Sequence, residues 1–185
     1  MTFKQLVQAS ILSPEAVQLQ PLATGAQHFA QLLIERNLWQ DAIAYMAHAI
    51  RAREAIWWGW FCARKAAVVG NNPKDAEALK VCEAWIAQPS PQTLEQAQAF
   101  LPRAAGRPGV EALLRAVAAT GEIVNEESGS RVAPPPLLAN RFVQVTVLQA
   151  AYEIDAAAPE VAAADFLKQS REVAARIQLW NQFTV

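Results

Sequence analysis

Apolar residues recur at steps of three and four along most of this chain, which is the spacing of one face of an α-helix. The segment 38–50 is typical, because Ile43, Met46 and Ile50 form one apolar stripe. The same spacing continues to about residue 180 and is clearly interrupted only between residues 121 and 136. The pattern therefore predicts helices over most of the chain.

Local start signals divide this helical pattern into separate elements. Ser13-Pro14, Ser90-Pro91 and Arg107-Pro108 each place Pro at a first helical position, and Ser is a common N-cap. We expect Thr24 to cap a further helix. The pattern indicates about eight helices, joined mostly by short turns. They include residues 13–19, 24–37, 38–50, 52–69, 90–101, 137–154 and 159–180.

The stretch 121–136 interrupts the helical pattern. Its sequence, GEIVNEESGSRVAPPP, combines acids, Ser, Gly and three consecutive Pro residues, which predicts a surface loop. The following segment, 137–154, is ambiguous, because Val143, Val145 and Val147 alternate as they would in a strand. Its length and the helical spacing of its other large apolar residues favour a helix.

Short connections make successive helices pack antiparallel. We therefore predict a single all-α domain over residues 1–185, an array of about eight antiparallel helices arranged as a bundle or a short solenoid. A strict repeat array is not supported, because no self-similarity is found at periods of about 34 to 45 residues.

Composition agrees with a helical domain and excludes several classes of function. Alanine contributes 38 of the 185 residues and glycine only 7, which favours helix over sheet. Sixteen basic and 17 acidic residues leave a net charge of −1, so neither a nucleic-acid surface nor a basic membrane patch is expected. With two Cys and two His, we expect no metal site, no disulfide framework and no cofactor. The chain shows no signal-like or membrane-spanning stretch, so we expect a cytoplasmic protein.

The segment 52–69 is unusually rich in aromatic residues. At 100° per residue, the large side chains, among them Trp57, Trp58 and Trp60, cover an arc of about 200°. Small residues such as Gly59 fill the opposite side, where a neighbouring helix can approach closely. A helix that is apolar on all sides is usually buried, so we expect this one at the centre of the domain.

Two arginines lie within the aromatic arc. Arg53 is four residues before Trp57, and Arg64 is four residues after Trp60, so guanidinium and indole groups come within stacking distance. Together with Glu54, these residues could form a groove that binds a peptide or an anion. Alternatively, the arginines only cover a buried helix, which we favour because Trp is normally core and Arg normally extends to the surface.

The run His48-Ala-Ile-Arg-Ala-Arg-Glu-Ala-Ile-Trp-Trp58, followed by Cys62-Ala-Arg64, resembles a segment of a family of uncharacterised bacterial proteins. That family carries A-H-A-L-P-x-R-E-A-[IV]-W-W, and this chain departs from it in having Ile50-Arg51 in place of Leu-Pro. The resemblance implies an all-helical fold and an association with bacterial secretion or signalling. It implies no known activity.

Catalytic motifs for nucleotide binding, serine hydrolysis and zinc proteolysis are missing from the sequence. The best acid–base candidate is Asp41, Tyr45 and His48, which share one helical face and could place a carboxylate beside an imidazole. The same spacing also describes an ordinary half-polar stripe.

Without a catalytic motif, a non-catalytic protein–protein interaction or adaptor module is the favoured function, with another protein as its partner. The alternatives are an enzyme with an unrecognised site near His48 and the Trp/Arg helix, and a structural subunit of an obligate oligomer. The apolar content of 53% and the six Trp residues keep the oligomer open, because apolar surface can be buried between chains.

Overall fold

The fold is all-helical in a computed structural model that describes residues 1–70, 73–124 and 130–183. Within these ranges there are ten α-helices and three short 3-10 segments. The helices are α1 (Phe3–Ala9), α2 (Pro14–Gln18), α3 (Ala26–Glu35), α4 (Trp39–Ala49), α5 (Ala52–Gly70), α6 (Pro73–Ala87), α7 (Pro91–Phe100), α8 (Pro108–Ala118), α9 (Leu138–Ile154) and α10 (Pro159–Arg176). The 3-10 segments are Gln20–Leu22, Leu101–Ala104 and Leu179–Gln182.

The predicted N-caps are found at the starts of α2 and α7 but not at the start of α3. The hydroxyl of Ser13 accepts a hydrogen bond from the Ala16 amide, and Ser90 caps α7 with Pro91 following it, as predicted. Thr24 does not cap α3, because the N-cap there is Gly25. Instead, the Thr24 amide donates to Nδ1 of His28 over 3.1 Å.

Two boundaries differ from those predicted. Helix α1 was missed because it is short, yet Thr2 and Gln5 form a capping box that satisfies its first amides. The last helix ends at Arg176 rather than near Trp180. Gln178 adopts a left-handed backbone conformation with φ of 49°, which stops α10 before the final 3-10 segment begins.

Helix α9 resolves the ambiguity of the valine-rich segment in favour of a helix. It packs against α4, α5, α8 and α10. Val143, Val147, Ala150 and Ala151 are fully buried, at steps of three and four. Val143 and Val147 thus lie on the buried side of α9, whereas Val145 between them is 42% exposed, because residues two apart on a helix point in nearly opposite directions.

Gly59 marks the close approach of α5 to α8 and α9. A Cβ atom added at this position would lie 3.4 Å from Val143 Cγ1, 3.5 Å from Leu113 Cδ1 and 3.6 Å from Thr146 Cγ2. These are ordinary contact distances, so the site accepts a methyl group and has no room for a longer side chain. The small face of α5 therefore meets α8 and α9.

The Pro- and Gly-rich stretch contains a minimal hairpin. Ile123–Val124 (β1) pairs antiparallel with Arg131–Val132 (β2), and residues 125–129 of the predicted loop lie outside the described ranges. None of the described helices is both long enough and apolar enough to cross a membrane.

Candidate functional site

The five predicted binding residues lie on the first four turns of α5, and the structure divides them between two neighbouring helices. Arg53, Trp60 and Arg64 lie on the α6 side. The Nε1–H group of Trp60 donates to the carbonyl oxygen of Leu79 over 3.0 Å. Arg53 donates to the carbonyl oxygens of Ile86, over 2.8 and 3.1 Å, and of Ala87, over 3.3 Å. These bonds tie α5 to α6.

The predicted stacking forms at one of the two pairs. The Arg64 guanidinium lies 5.2 Å from the centroid of the Trp60 ring, which is 8% exposed. In the part of the chain that the structure describes, Arg53 does not stack on Trp57. Its guanidinium is instead hydrogen-bonded to a carbonyl oxygen at the end of α6. Arg64 therefore covers a buried indole, which agrees with the favoured interpretation of these arginines.

Trp57 and Glu54 lie on the other side of α5 and line an open groove against α10. The groove has a volume of about 170 Å³. Its wall from α10 and the turn after it consists of Gln169, Val173, Arg176 and Ile177. Most of its surface is apolar, with the carboxylate of Glu54 and the guanidinium of Arg176 as its charged groups. Glu54 also pairs with Arg51, over 3.3 Å.

Further contacts hold the two walls of this groove in place. The indole of Trp58, fully buried, donates to the carbonyl oxygen of Phe166 in α10 over 2.9 Å. Trp57 stacks on Phe61, with ring centroids 6.1 Å apart. One turn further, Lys65 lies over the Phe61 ring and pairs with Asp165 of α10. The groove is thus built between two helices that a hydrogen bond and an ion pair join.

The second predicted set, Asp41, Tyr45 and His48, lies on α4, and each member has a partner outside the set. Asp41 accepts hydrogen bonds from the amide and hydroxyl of Ser13, over 2.6 and 2.9 Å, and so holds the start of α2. Tyr45 is fully buried and donates to the carbonyl oxygen of Ala26 over 3.1 Å. Burial raises the pKa of the Tyr45 hydroxyl far above its usual range. None of the hydrogen bonds of the described residues joins two members of this set.

His48 differs from the other two, because one of its ring nitrogens is unused. Its Nδ1 lies 2.8 Å from the carbonyl oxygen of Ala44, and the side chain is 2% exposed. A carbonyl oxygen can only accept, so the proton is on Nδ1 and the lone pair of the neutral ring is on Nε2. Nε2 is buried and has no hydrogen-bond partner. Burial lowers the pKa of His48, the bond to Ala44 opposes this shift, and the charge of Arg141 adds to it.

The sequence analysis missed a cluster of charged residues in which Asp75 is buried, Arg107 is half-buried and Glu153 is exposed. Arg107, at the start of α8, pairs with Asp75, which is 7% exposed. Asp75, Arg107 and Glu153 of α9 line one cavity of about 310 Å³. Partial burial raises the pKa of the Glu153 carboxyl group, while the backbone amide of Gly109 and the charge of Arg107 lower it. The three residues are far apart in sequence, so no local spacing could have brought them together.

Both cysteines are free and buried. Burial raises the pKa of the Cys62 and Cys82 thiols well above their usual range. Neither thiol has the character of a nucleophile, because the thiolate is the reactive form.

Comparison with known proteins places this all-helical chain in a family. Residues 29–174 match the family described as "Family of unknown function (DUF6931)", and the chain belongs to that family. The matched range includes α4, α5 and α9 in full, together with most of α10. No curated protein and no solved structure matches the chain.

Proposed function

We propose that this chain is a protein–protein interaction module whose docking surface is the groove between α5 and α10. The single observation that carries the proposal is the placement of Trp57. Unlike Trp58 and Trp60, it is only half-buried, and it lines an open apolar groove. Trp and Arg are enriched among residues that dominate binding energy, and this groove contains one of each.

The size and charge of the groove define the partner segment. A volume of about 170 Å³ suits a single large apolar side chain. Glu54 and Arg176 carry opposite charges at the same groove, so a matching segment has a basic residue facing Glu54 and an acidic residue facing Arg176. We propose a partner protein that inserts a Leu, Met or Phe side chain between two such charges.

The scaffold of this proposal is an array of antiparallel helices with α5 at its centre. In support, α5 packs against α6, α8, α9 and α10, and α6, α7, α8 and α9 contact one another in chain order. The two buried free cysteines suit the reducing cytoplasm, and the resemblance of residues 48–64 to bacterial proteins suits a bacterial secretion or signalling system.

The test is selection from a randomised peptide display library on the immobilised protein. We expect enriched peptides to share one large apolar residue between a basic and an acidic residue. Trp57→Ala is expected to weaken the binding of these peptides about tenfold or more. The control is Arg64→Gln, because Arg64 lies on the α6 side and leaves the groove unchanged.

A charge reversal completes this test without changing the apolar contacts. The double variant Glu54→Lys with Arg176→Glu is expected to lose the original peptides and to bind versions with their two charges exchanged. Peptides that bind wild type and Trp57→Ala equally well would contradict the proposal. A light-scattering mass of a stable oligomer would instead favour the structural-subunit alternative.

A further inference from the structure

His48, whose Nε2 has no hydrogen-bond partner, lines a second cavity, distinct from the groove between α5 and α10. This cavity has a volume of about 370 Å³. It lies where α4 ends, where α5 and α9 begin, and beside the last 3-10 segment. His48, Arg51, Leu137 and Asn140 line it, and none of its lining residues is acidic.

Two long helices present their first turns to this cavity. The amide of Ala55 donates to the carbonyl oxygen of Arg51, the residue before α5, over 2.8 Å, and the α5 amides that precede Ala55 have no acceptor within the helix. In α9 the amide of Leu138 donates to the carbonyl oxygen of Pro135 over 3.2 Å, so the amides of Ala139 and Asn140 are the ones without an acceptor within the helix. The N-cap of α9, Leu137, provides no side-chain hydrogen bond, and no acidic residue lies in the first turn of α9. Unpaired amides at helix starts attract anions.

Asn140 joins the start of α9 to the end of α4 and occupies two carbonyl oxygens there. Its amide nitrogen donates to the carbonyl oxygens of Ala47, over 2.7 Å, and Ile50, over 2.8 Å. These are carbonyls from the end of α4, where the helix dipole is negative. With these oxygens occupied, the positive groups at the cavity are the starts of α5 and α9 and the side chain of Arg51, and the nearest acid on α5 is Glu54, in its first turn.

His48 adds a requirement that a simple anion does not meet. Its Nε2 carries a lone pair, is buried and has no partner, so a ligand at this position must donate a hydrogen bond to it. A carboxylate or sulfate group has no proton to donate at neutral pH. A phosphate monoester has its second pKa near 6, so one of its oxygens readily carries a proton while the others accept from amides.

We propose that this cavity binds a small phosphate monoester, with the P–O–H group donating to Nε2 of His48 and the other oxygens accepting from the first amides of α5 and α9. The cavity is larger than a phosphate group and leaves room for the organic part of the ligand. Nε2 has almost no solvent contact, so a lining side chain moves aside to admit the ligand. One of the lining side chains, that of Met1, is 52% exposed.

Charged groups near the cavity set the pH range of binding. Arg141 of α9 acts on His48, and Arg51, between α4 and α5, is paired with Glu54 of α5. One proton is shared between phosphate and imidazole in the complex. Affinity is therefore expected to rise as the pH is lowered from 8 toward 6.5.

The experiment compares phenyl phosphate, inorganic phosphate and sulfate by isothermal titration calorimetry on the whole chain. Sulfate has the shape and charge of phosphate without its proton. We expect both phosphates to bind and sulfate to bind roughly tenfold more weakly, as one lost hydrogen bond to a charged group implies. Equal affinities for phosphate and sulfate, or no phosphate binding at millimolar concentrations, would overturn the proposal.

Two variants and one spectroscopic measurement locate the ligand. In His48→Asn, the side-chain amide nitrogen takes the position of Nδ1 and Nε2 is lost, so phosphate binding is expected to fall to the level of sulfate. The matched control is His28→Asn, because His28 lies on α3, outside this cavity, and is expected to leave binding unchanged. If His48→Asn does not fold, nitrogen NMR of the wild-type protein provides the test. We expect phosphate to shift the Nε2 signal of His48, and an unchanged signal would refute the site.

Discussion

Arg53 donates to the carbonyl oxygen of Ile86 from both Nε, over 3.1 Å, and a terminal nitrogen, over 2.8 Å. A third bond, of 3.3 Å, reaches the carbonyl of Ala87. These carbonyls belong to the end of α6, where the last groups of a helix have no partner within it. A guanidinium there both satisfies the oxygens and complements the negative end of the helix dipole.

A double substitution tests this capping role. Replacing Arg53 and Arg64 with Gln removes the cap on α6 and the cover over Trp60. We expect the free energy of unfolding to fall by about 1–2 kcal/mol, as the loss of a few solvent-accessible hydrogen bonds and one cation–π contact implies. The measurement is urea denaturation.

The control for this substitution is Arg176→Gln, which alters the groove between α5 and α10 and leaves α6 untouched. A double variant as stable as wild type, and unable to bind peptides that wild type binds, would show that these arginines serve a partner instead.

Gly59 provides a test of packing with a matched pair of substitutions. Gly59→Ala is expected to be neutral or to stabilise by up to about 1 kcal/mol, because its Cβ has ordinary contacts and Ala favours helix. Gly59→Leu overpacks the contact with Val143 and Leu113, which costs roughly 1–3 kcal/mol. Thermal melts of both variants give the comparison, and equal stability of the two would mean that α8 and α9 do not enclose this face.

Asn140 is expected to be essential for the junction of α4 and α9. Asn140→Ala leaves two buried carbonyl oxygens, those of Ala47 and Ile50, without their donor. Each unsatisfied buried group costs about 1–3 kcal/mol, so we expect at least that loss of stability. Asn181→Ala changes the same residue type at an exposed position and serves as the control in chemical denaturation. A loss no larger than that of the control would mean that water replaces the amide.

The all-helical fold was predictable because its signals are local. Ser13 and Ser90 cap the helices that follow them, and the apolar spacing after residue 137 specifies a helix despite three alternating valines. Helix α1 was missed because seven residues are too few for a periodic pattern, although Thr2 and Gln5 carried a capping signal.

The sites were predictable only in part, because tertiary partners decide what each side chain does. Trp57 and Trp60 look alike in sequence, yet Trp60 donates to Leu79 of α6 whereas Trp57 lines an open groove. His48 and Asn140 are 92 residues apart in the sequence and line the same cavity only in the folded chain. No spacing rule within one helix could have joined them.

The last prediction concerns the pH dependence of stability, to which His48 contributes below about pH 6.5. In the folded chain, burial lowers its pKa below the unfolded value of about 6.5. Between those two pKa values the unfolded state binds more protons than the folded state. Stability is therefore full above pH 6.5 and declines as the pH falls through that window.

The measurement is the free energy of unfolding at several pH values in phosphate-free buffer. We expect this curve to be flatter for His48→Asn than for wild type between pH 5 and 7, because the variant has no imidazole to protonate at that position. Arg141→Gln is expected to make the decline smaller, since its charge contributes to the lowered pKa. If His48→Asn shows the wild-type slope, another group titrates in this range, and His48 is not held neutral by its surroundings.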